Sequence, residues 1–402
     1  MLIVKKFGGT SLANKEKVLN AAKRCIEDYQ KGHDIVVVLS AMGKTTDELL
    51  AKAYDIHPSP SKRELDMLLS TGEQISVAIM AMVMNSLNVP AVSLNAMQIQ
   101  MQTTSSYGNA SLKKIETQRI QHELEMRKIV LVTGFQGVNR YDDITTLGRG
   151  GSYTTAVAVA AALHADTCEI YTDVDGVYTA DPNIVTGAKK LNEISYDEML
   201  KFSALGAKVL HNRSVELAKK YGVQLIVRSS LNKTEGTLVK EDVKVEKKLV
   251  SGVAIDKSTA KVSVLGLADQ PGIAFKLFHG LSKKNVNVDI ILQSTGSKGN
   301  TDITFTIPKV DLQRTLDILE QNQELFTIQH IESEKEVAKL SIVGAGMASN
   351  PGVATKFFEA LYAASINIKM ISTSEISITA LVAEEDAERA LKIIHEAFFI
   401  SE

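Results

Sequence analysis

The chain has 402 residues, and its composition, with 45% hydrophobic and 23% charged residues, is that of an ordinary globular protein. Its 45 basic and 47 acidic side chains leave a net charge of −2, which argues against nucleic-acid binding because that function usually needs a strong basic excess. Apolar runs such as 75–84 and 156–163 are shorter than the roughly 18 residues of a membrane span, so we expect neither a span nor a signal peptide.

In the first part of the chain, short apolar runs predict β-strands at 2–6, 34–39, 128–133, 168–172 and 223–228. The segments between them have helical periodicity, with apolar residues three or four positions apart. This alternation is typical of an α/β domain in which helices cover both faces of a mostly parallel sheet. We assign residues 1–235 to this domain.

The last part of the chain contains an internal repeat. Residues 236–258 are polar and highly charged, which indicates a solvated connector with one short strand at 237–239. The sequence AKVSVLG at 260–266 then recurs as AKLSIVG at 338–344, and a Pro-Gly pair follows each copy. Each copy is predicted to run strand, loop, helix, strand, strand, helix, the order of a ferredoxin-like unit. We place these two small units at 259–330 and 331–402.

The cysteines indicate the cellular compartment. Cys25 and Cys168 are too few for a disulfide framework or a cysteine-based zinc site, and we interpret both as small buried apolar residues. A reducing cytoplasm is therefore the expected location.

Two glycine-rich loops follow predicted strands and precede predicted helices. In KFGGTS at 6–11, the glycines would let backbone N–H groups approach an anion, and Lys6 would add a point charge, although such turns also occur without a ligand. In TLGRGGS at 146–152, Arg149 suits a carboxylate or a phosphate, and a flexible surface loop is the alternative. The first loop lacks the Walker A pattern. Two anion-binding loops in one α/β domain favour a kinase.

Two acidic motifs have more than one interpretation. The segment 171–182 contains a D-x-D-G pattern, but a calcium loop starting at Asp173 would need glycine at Tyr178 and glutamate at Ile184. It is therefore a turn or a polar loop that contacts a nucleotide. Glu73, in the STGE motif at 70–73, lies in an otherwise apolar helical row, which predicts a carboxylate that faces a cleft or a buried partner.

Together these motifs resemble those of the aspartokinases, within the amino acid kinase superfamily. The similarity extends over almost the whole chain and includes VVLSAMG at 37–43, VTGFQG at 132–137 and GAKVLH at 206–211. The C-terminal repeats resemble the paired ACT regulatory domains of that family. The resemblance implies ATP-dependent phosphorylation of the β-carboxylate of L-aspartate, the entry step towards lysine, threonine and methionine. It also implies Mg²⁺ carried by the ATP phosphates, with no dedicated metal ligands on the protein.

The resemblance assigns roles to individual residues. The expected catalytic residues are Lys6, Arg149 and Lys208. The expected substrate-binding residues are Ser40, Thr46, Glu73, Arg149, Gly150, Gly151 and Ser152. The expected nucleotide-binding residues are Lys6, Gly8, Gly9, Thr10, Thr172, Asp173, Tyr178, Asp181 and Lys208. An amino-acid effector, lysine or threonine, is expected at Asp269, Gln270, Gly272, Ile273, Gln293, Asn350 and Gly352, although the Pro-Gly loops among these are turns in the alternative interpretation.

Three positions depart from the family pattern. Tyr153 follows GRGGS where the family usually has aspartate, Asn183 stands where arginine is frequent, and Asn212 replaces the proline of an HPR motif. The missing carboxylate at 153 predicts weaker aspartate binding. It also leaves open a non-catalytic amino-acid sensor, and a related amino acid kinase is a further alternative. The small ACT-like units predict a homodimer or homotetramer.

Overall fold

The computed structural model describes residues 1–205, 209–241, 249–296, 299–345, 347 and 350–400. The described residues form two compact units. The first comprises 1–178, 190–204 and 209–241, and the second comprises 179–189, 205, 249–296, 299–345, 347 and 350–400.

The strands of the first unit are β1 (Leu2–Phe7), β2 (Asp34–Leu39), β3 (Ala91–Leu94), β4 (Gln102–Thr103), β5 (Leu112–Lys114), β6 (Ile129–Thr133), β7 (Gln136–Val138), β8 (Ile144–Thr146), β9 (Thr167–Thr172), β10 (Glu193–Ser195), β11 (Leu225–Ser229) and β12 (Thr237–Lys240). Its helices are α1 (Lys15–Gln30), α2 (Thr45–Ile56), α3 (Lys62–Leu69), α4 (Thr71–Ser86), α5 (Gln118–Glu125), α6 (Gly151–Ala162), α7 (Tyr196–Ala204) and α8 (Asn212–Tyr221).

An eight-stranded sheet forms the centre of the first unit, with the order β10-β12-β11-β9-β1-β2-β6-β3. All five strands predicted from apolar runs belong to it, and apart from the antiparallel β11–β12 pair its strands are parallel. The run from Ile35 to Leu39 has no exposed surface, as expected for a strand covered on both faces. The strand predicted at 237–239 is β12. A small sheet, β5-β4-β7-β8, lies in the same unit.

The helix pair α3–α4 contains a long apolar stretch. Residues 62–86 are long and apolar enough to cross a membrane by length and composition, but half of the apolar window is buried inside the protein. Val77, Met80 and Met84 of α4 pack into the core cluster that also contains Val18 and Cys25 of α1. The stretch is therefore explained as part of the core.

The second unit contains both copies of the repeat. Its strands are β13 (Gly252–Asp256), β14 (Thr259–Ala268), β15 (Ile291–Thr295), β16 (Asn300–Pro308), β17 (His330–Glu334), β18 (Val337–Val343), β19 (Met370–Ser374) and β20 (Ser377–Ala383). Its helices are α9 (Ile273–Lys283), α10 (Leu312–Gln321), α11 (Gln323–Phe326), α12 (Gly352–Ala363) and α13 (Ala387–Phe399). The predicted order of strand, helix, strand, strand and helix is present in each copy.

Each copy forms a four-stranded antiparallel sheet, β15-β16-β14-β17 in the first and β19-β20-β18-β13 in the second. The fourth strand of the first sheet, β17, follows that copy in the chain. The fourth strand of the second sheet, β13, precedes the first copy and pairs along β18 from Gly252 to Asp256. The connector predicted at 236–258 therefore contains strands at both ends, one in each unit.

Candidate active site

The strands of the large sheet end side by side at one edge. β1 lies between β2 and β9, with Phe7 paired to Leu39 on one side and to Tyr171 on the other. Leu39 is paired in turn with Thr133 at the end of β6. The loops that follow these strands therefore meet, and ligands of open α/β sheets bind at this end.

A cavity of about 240 Å³ opens between these loops. Its lining includes every residue predicted to bind substrate and one predicted to bind nucleotide: Gly9, Ser40, Thr46, Glu73, Arg149, Gly150, Gly151 and Ser152. The other residues of its lining are Ala41, Gly43, Phe135, Gly148 and Tyr153. The fold thus brings together residues that are up to 144 positions apart in the sequence, from Gly9 to Tyr153.

Glu73, in the first turn of α4, presents a buried carboxylate to the cavity. Its side chain is only 3% exposed, and Oε1 accepts the N–H of Ala41 at 2.9 Å. Oε2 is buried and has no hydrogen-bond partner within the described part of the chain. Burial raises the pKa of Glu73 to about 7, although the Ala41 N–H opposes this. A bound ammonium group would pair with Oε2 and stabilise the ionised form.

The loop at 148–151 has a backbone conformation that requires glycine. Gly148 and Gly150 have φ angles of +76° and +75°, and a β-carbon at Gly150 would lie 2.4 Å from the ring of His211. Arg149, between them, is exposed, and α6 begins at Gly151. The loop therefore presents a guanidinium group and the positive end of a helix to the cavity.

Buried polar contacts support this loop from behind. Asp66, which is 1% exposed, accepts the N–H of Gly108 at 2.9 Å and the N–H and hydroxyl of Thr146 at 2.8 and 2.7 Å. Arg213 donates to the carbonyl of Leu147 at 3.0 Å. These bonds hold the backbone just before Gly148. They therefore help to fix the position of Arg149 in the loop that follows β8.

Lys5 and Lys6 are consecutive residues of β1 and therefore point to opposite faces of the sheet. Lys5 has no exposed surface and forms ion pairs with Asp28 at 2.5 Å and Glu169 at 3.2 Å. Lys5 therefore has a structural role as a buried cation in the core that contains α1.

Lys6 lies at the first glycine loop. Its side chain is 1% exposed, and a β-carbon at Gly8 would come within 3.3 Å of Nζ. Nζ also lies 3.4 Å from the centroid of the Tyr153 ring. Burial lowers the pKa of Lys6 to about 7, and the negative charge of Asp173 opposes this. Lys6 is thus a buried cation at the carboxyl-terminal end of the sheet, where the loops meet.

Other residues predicted to bind nucleotide follow β1 and β9. Thr172 ends β9, and its hydroxyl donates to Asp173 Oδ1 at 2.9 Å. Tyr178 donates to Asp175 at 2.8 Å and lies in the same unit. Thr10 is exposed in the turn after Gly9. The described contacts of these residues are all within the protein. Their role in nucleotide binding therefore stays a prediction.

Two predicted nucleotide-binding residues are not placed with the others. Asp181 belongs to the second unit, where its carboxylate accepts the backbone N–H of Asn183 at 2.9 Å. The side-chain amide of Asn183, at one departure from the family pattern, donates to the same carboxylate at 3.0 Å. Lys208 lies outside the described residues.

Asn212, which replaces the proline of the family's HPR motif, is the first residue of α8. This position suits proline but does not require it.

The residues predicted to bind an effector lie at separate places in the second unit. Asp269, Gln270 and Gly272 form the loop before α9, and Ile273 begins that helix with 4% exposure. Gln293 lies on the exposed edge strand β15, while Asn350 and Gly352 lie at the start of α12. A cavity of about 520 Å³ in the first ACT-like copy has a different lining: Gly266, Ala268, Asn300, Gln323, Thr327, Ile328 and Gln329.

Several residues of the site were not predicted. Ala41 and Gly43 lie in the VVLSAMG motif and Phe135 in VTGFQG, so the motifs were visible although these roles were not. Phe135 also has a φ of +68°, which no sequence pattern indicates. Asp66 gave no signal, because a polar residue in an amphipathic helix is usually solvated.

Comparisons with family models cover both parts of the chain. Residues 1–229 match the amino acid kinase family, and residues 262–323 and 340–398 match the ACT domain. The predicted fold class, an amino acid kinase fold followed by two ACT units, is confirmed by these matches and by the structural similarity below.

The chain is 50% identical over 401 residues to the aspartokinase of Bacillus sp. strain MGA3, which covers 100% of this chain and 98% of that protein. It is 49% identical over 403 residues to the aspartokinase of Corynebacterium glutamicum, which covers 99% of this chain and 96% of that protein. The structure of E. coli aspartokinase III in complex with aspartate and ADP is similar, with a TM-score of 0.85 and 26% identity, over 99% of this chain and 100% of that one.

Proposed function

The chain belongs to the aspartokinase family, and on this premise we propose that the cavity beside Glu73 and Arg149 binds L-aspartate for phosphoryl transfer from ATP. The enzyme transfers the γ-phosphoryl group of ATP to the β-carboxylate of L-aspartate and forms 4-phospho-L-aspartate and ADP. One observation carries the assignment of the site: Oε2 of Glu73 is buried without a partner among the described residues, in the same cavity that Arg149 lines. A ligand with an ammonium group and a carboxylate would satisfy both.

The proposed mechanism needs no general base. A β-carboxylate with a reference pKa of about 3.9 is already ionised at neutral pH. Glu73 would hold the α-ammonium group and Arg149 the α-carboxylate, which leaves the β-carboxylate to attack the γ-phosphorus. The bond from this phosphorus to the bridging oxygen of ADP breaks as the new one forms. Lys6, and Lys208 as the predicted second cation, would stabilise charge on the transferring phosphoryl group.

Mg²⁺ is expected to accompany ATP. In the described ranges, no group of three or more histidine, cysteine, aspartate or glutamate side chains is arranged to hold a metal ion. We expect the metal to be held mainly by the phosphate oxygens of ATP, as is usual for Mg²⁺. When bound, Mg²⁺ would neutralise charge on the phosphates.

Regulation is proposed to act through the second unit. A second solved form of E. coli aspartokinase III, in complex with lysine and aspartate, is similar to this chain with a TM-score of 0.79 and 26% identity, over 99% of each chain. For this chain we expect lysine or threonine at the loop before α9, where the first turn of the helix offers N–H groups to a carboxylate. Every residue of β15 is exposed, including Ile291 and Leu292, and this edge supports pairing of subunits into a homodimer or tetramer. We expect a cytoplasmic, biosynthetic enzyme.

The test is aspartate-dependent hydroxamate formation with ATP and Mg²⁺, with and without lysine or threonine. Glutamate and N-acetylglutamate serve as competing acceptors. We expect a signal with aspartate alone that an effector suppresses. Activity with another acceptor but not with aspartate would contradict the proposed site. Suppression by neither amino acid would contradict the proposed effectors and leave the catalytic assignment standing.

A further inference from the structure

The contact between Tyr153 and Lys6 is unusually close. Nζ of Lys6 lies 3.4 Å from the ring centroid, whereas the other cation–ring pairs in the described ranges are separated by 4.6–5.6 Å. Tyr153 lies in the first turn of α6 and lines the aspartate cavity. The ring therefore reaches from the substrate side of the site to its buried cation.

The environment of Lys6 gives this contact its importance. An ammonium group with 1% exposure has lost its hydration and needs a compensating interaction. The face of an aromatic ring attracts a cation, and this attraction is stronger when water is excluded. Unlike a carboxylate, the ring carries no net charge, so it neither neutralises the ammonium group nor repels an incoming phosphate.

The Tyr153 side chain also interacts with the end of β9. Burial raises the pKa of its phenol, and the negative charge of Asp173 raises it further. The Thr172 hydroxyl donates to Asp173 at 2.9 Å. The titratable groups that act on Lys6 are Asp173 after β9 and Cys168 within β9.

We propose that Tyr153 is a positioning residue for phosphoryl transfer, whose ring holds the Lys6 ammonium group at the Gly8–Gly9 loop and leaves its positive charge available to the phosphates of ATP. This inference depends on the proposed role of Lys6. It assigns a function to the residue that stands where the family usually has aspartate.

The first test compares Tyr153→Phe with Tyr153→Leu. Tyr153→Phe keeps the ring and should retain most of the activity. Tyr153→Leu should lower kcat by about 10- to 30-fold, the loss expected for a desolvated cation–π contact, with a much smaller change in KM for aspartate. Tyr221→Leu is the matched control, because Tyr221 forms a cation–ring pair with Lys220 away from the site. Equal losses in the Phe and Leu variants, or a normal kcat in the Leu variant, would overturn the proposal.

The second test is the pH profile of kcat/KM for ATP at saturating aspartate. Lys6 must be charged, so activity falls as the pH rises through its pKa. Tyr153→Leu should move this limb to lower pH, and Tyr153→Asp should move it to higher pH because a carboxylate favours the ammonium form. An unmoved limb in both variants would contradict the contact.

The Lys6→Met variant distinguishes a failure of the proposed role of Lys6 from a failure of the proposed role of Tyr153. Loss of activity in Lys6→Met together with a normal Tyr153→Leu enzyme would overturn only the inference about Tyr153. Full activity in Lys6→Met would overturn the proposed role of Lys6, and the inference with it.

Discussion

Replacing Glu73 by glutamine tests the substrate site most directly. The Glu73→Gln change preserves the size of the side chain, and its amide oxygen can still accept the Ala41 N–H that Oε1 accepts at 2.9 Å. What it removes is the negative charge offered to the α-ammonium group of aspartate. We therefore expect a specific loss of aspartate binding rather than a loss of the fold.

The magnitude follows from the pKa of Glu73, which burial raises from 4.5 to about 7. An ammonium group bound to Oε2 would bring this pKa back to its ordinary range. At 1.36 kcal/mol per pH unit, the difference is about 3 kcal/mol, or roughly 300-fold in affinity. Glu73→Gln should therefore raise KM for aspartate by roughly two orders of magnitude and leave KM for ATP nearly unchanged.

The assay is kcat/KM for aspartate against pH at saturating ATP. In the unmodified enzyme this quantity should rise with pH until about 7, because Glu73 must be ionised, and then level off, because the phosphates of bound ATP favour the charged form of Lys6. The variant should show a low value without this limb. An aspartate KM close to that of the unmodified enzyme, or a limb that persists in the variant, would refute the reasoning.

Protein stability provides the control for that variant. A carboxyl group whose pKa is raised on folding destabilises the folded state increasingly as the pH rises from 4.5 to about 7, and the full effect is present above 7. Glu73→Gln should therefore raise Tm above pH 7 and change it little near pH 4.5. A lower Tm at both values would indicate damage to the fold instead.

Two further predictions use matched pairs. Lys5→Met, measured by denaturant unfolding, should cost about 1–3 kcal/mol because it removes the buried cation that pairs with Asp28 and Glu169, whereas Lys6→Met should abolish activity with little loss of stability. Equal losses of stability in the two variants would contradict this division. Gly150→Ala should lower both Tm and activity, since the residue has a φ of +75° and its β-carbon would meet the His211 ring at 2.4 Å. Gly222→Ala, with a φ of +66° and open space around it, should show only the smaller cost of backbone strain, and an equal effect would refute the steric argument.

The sequence was sufficient to predict the central strands of the first unit. Uninterrupted β-branched runs predicted the five central strands, because a strand buried on both faces needs apolar side chains at every position. The glycine loops were visible for a similar reason, since a φ above zero is accessible to few other residues. The identity of the substrate-binding set followed from the resemblance to the aspartokinases, and its convergence on one cavity is a result of the sheet order.

The pairing of the repeat strands could not be predicted from the sequence. The two copies look alike, yet one sheet is completed by β17 from after its copy and the other by β13 from before the first copy. Hydrogen bonds between strands do not depend on chain order. A repeat in the sequence therefore defines the order of elements within each copy but not which distant strand completes the sheet.

The different partners of Lys5 and Lys6 could not be predicted from the sequence. The pattern of a strand predicts that the two lysines point to opposite faces, but both are nearly inaccessible and both look equally costly to bury. Only the tertiary structure places two carboxylates against Lys5 and an aromatic ring and a glycine loop against Lys6. The sequence by itself determined the kinase family, the five central strands and the glycine loops, because these depend on local pattern. The partner of each buried charge was decided by packing between segments far apart in the chain.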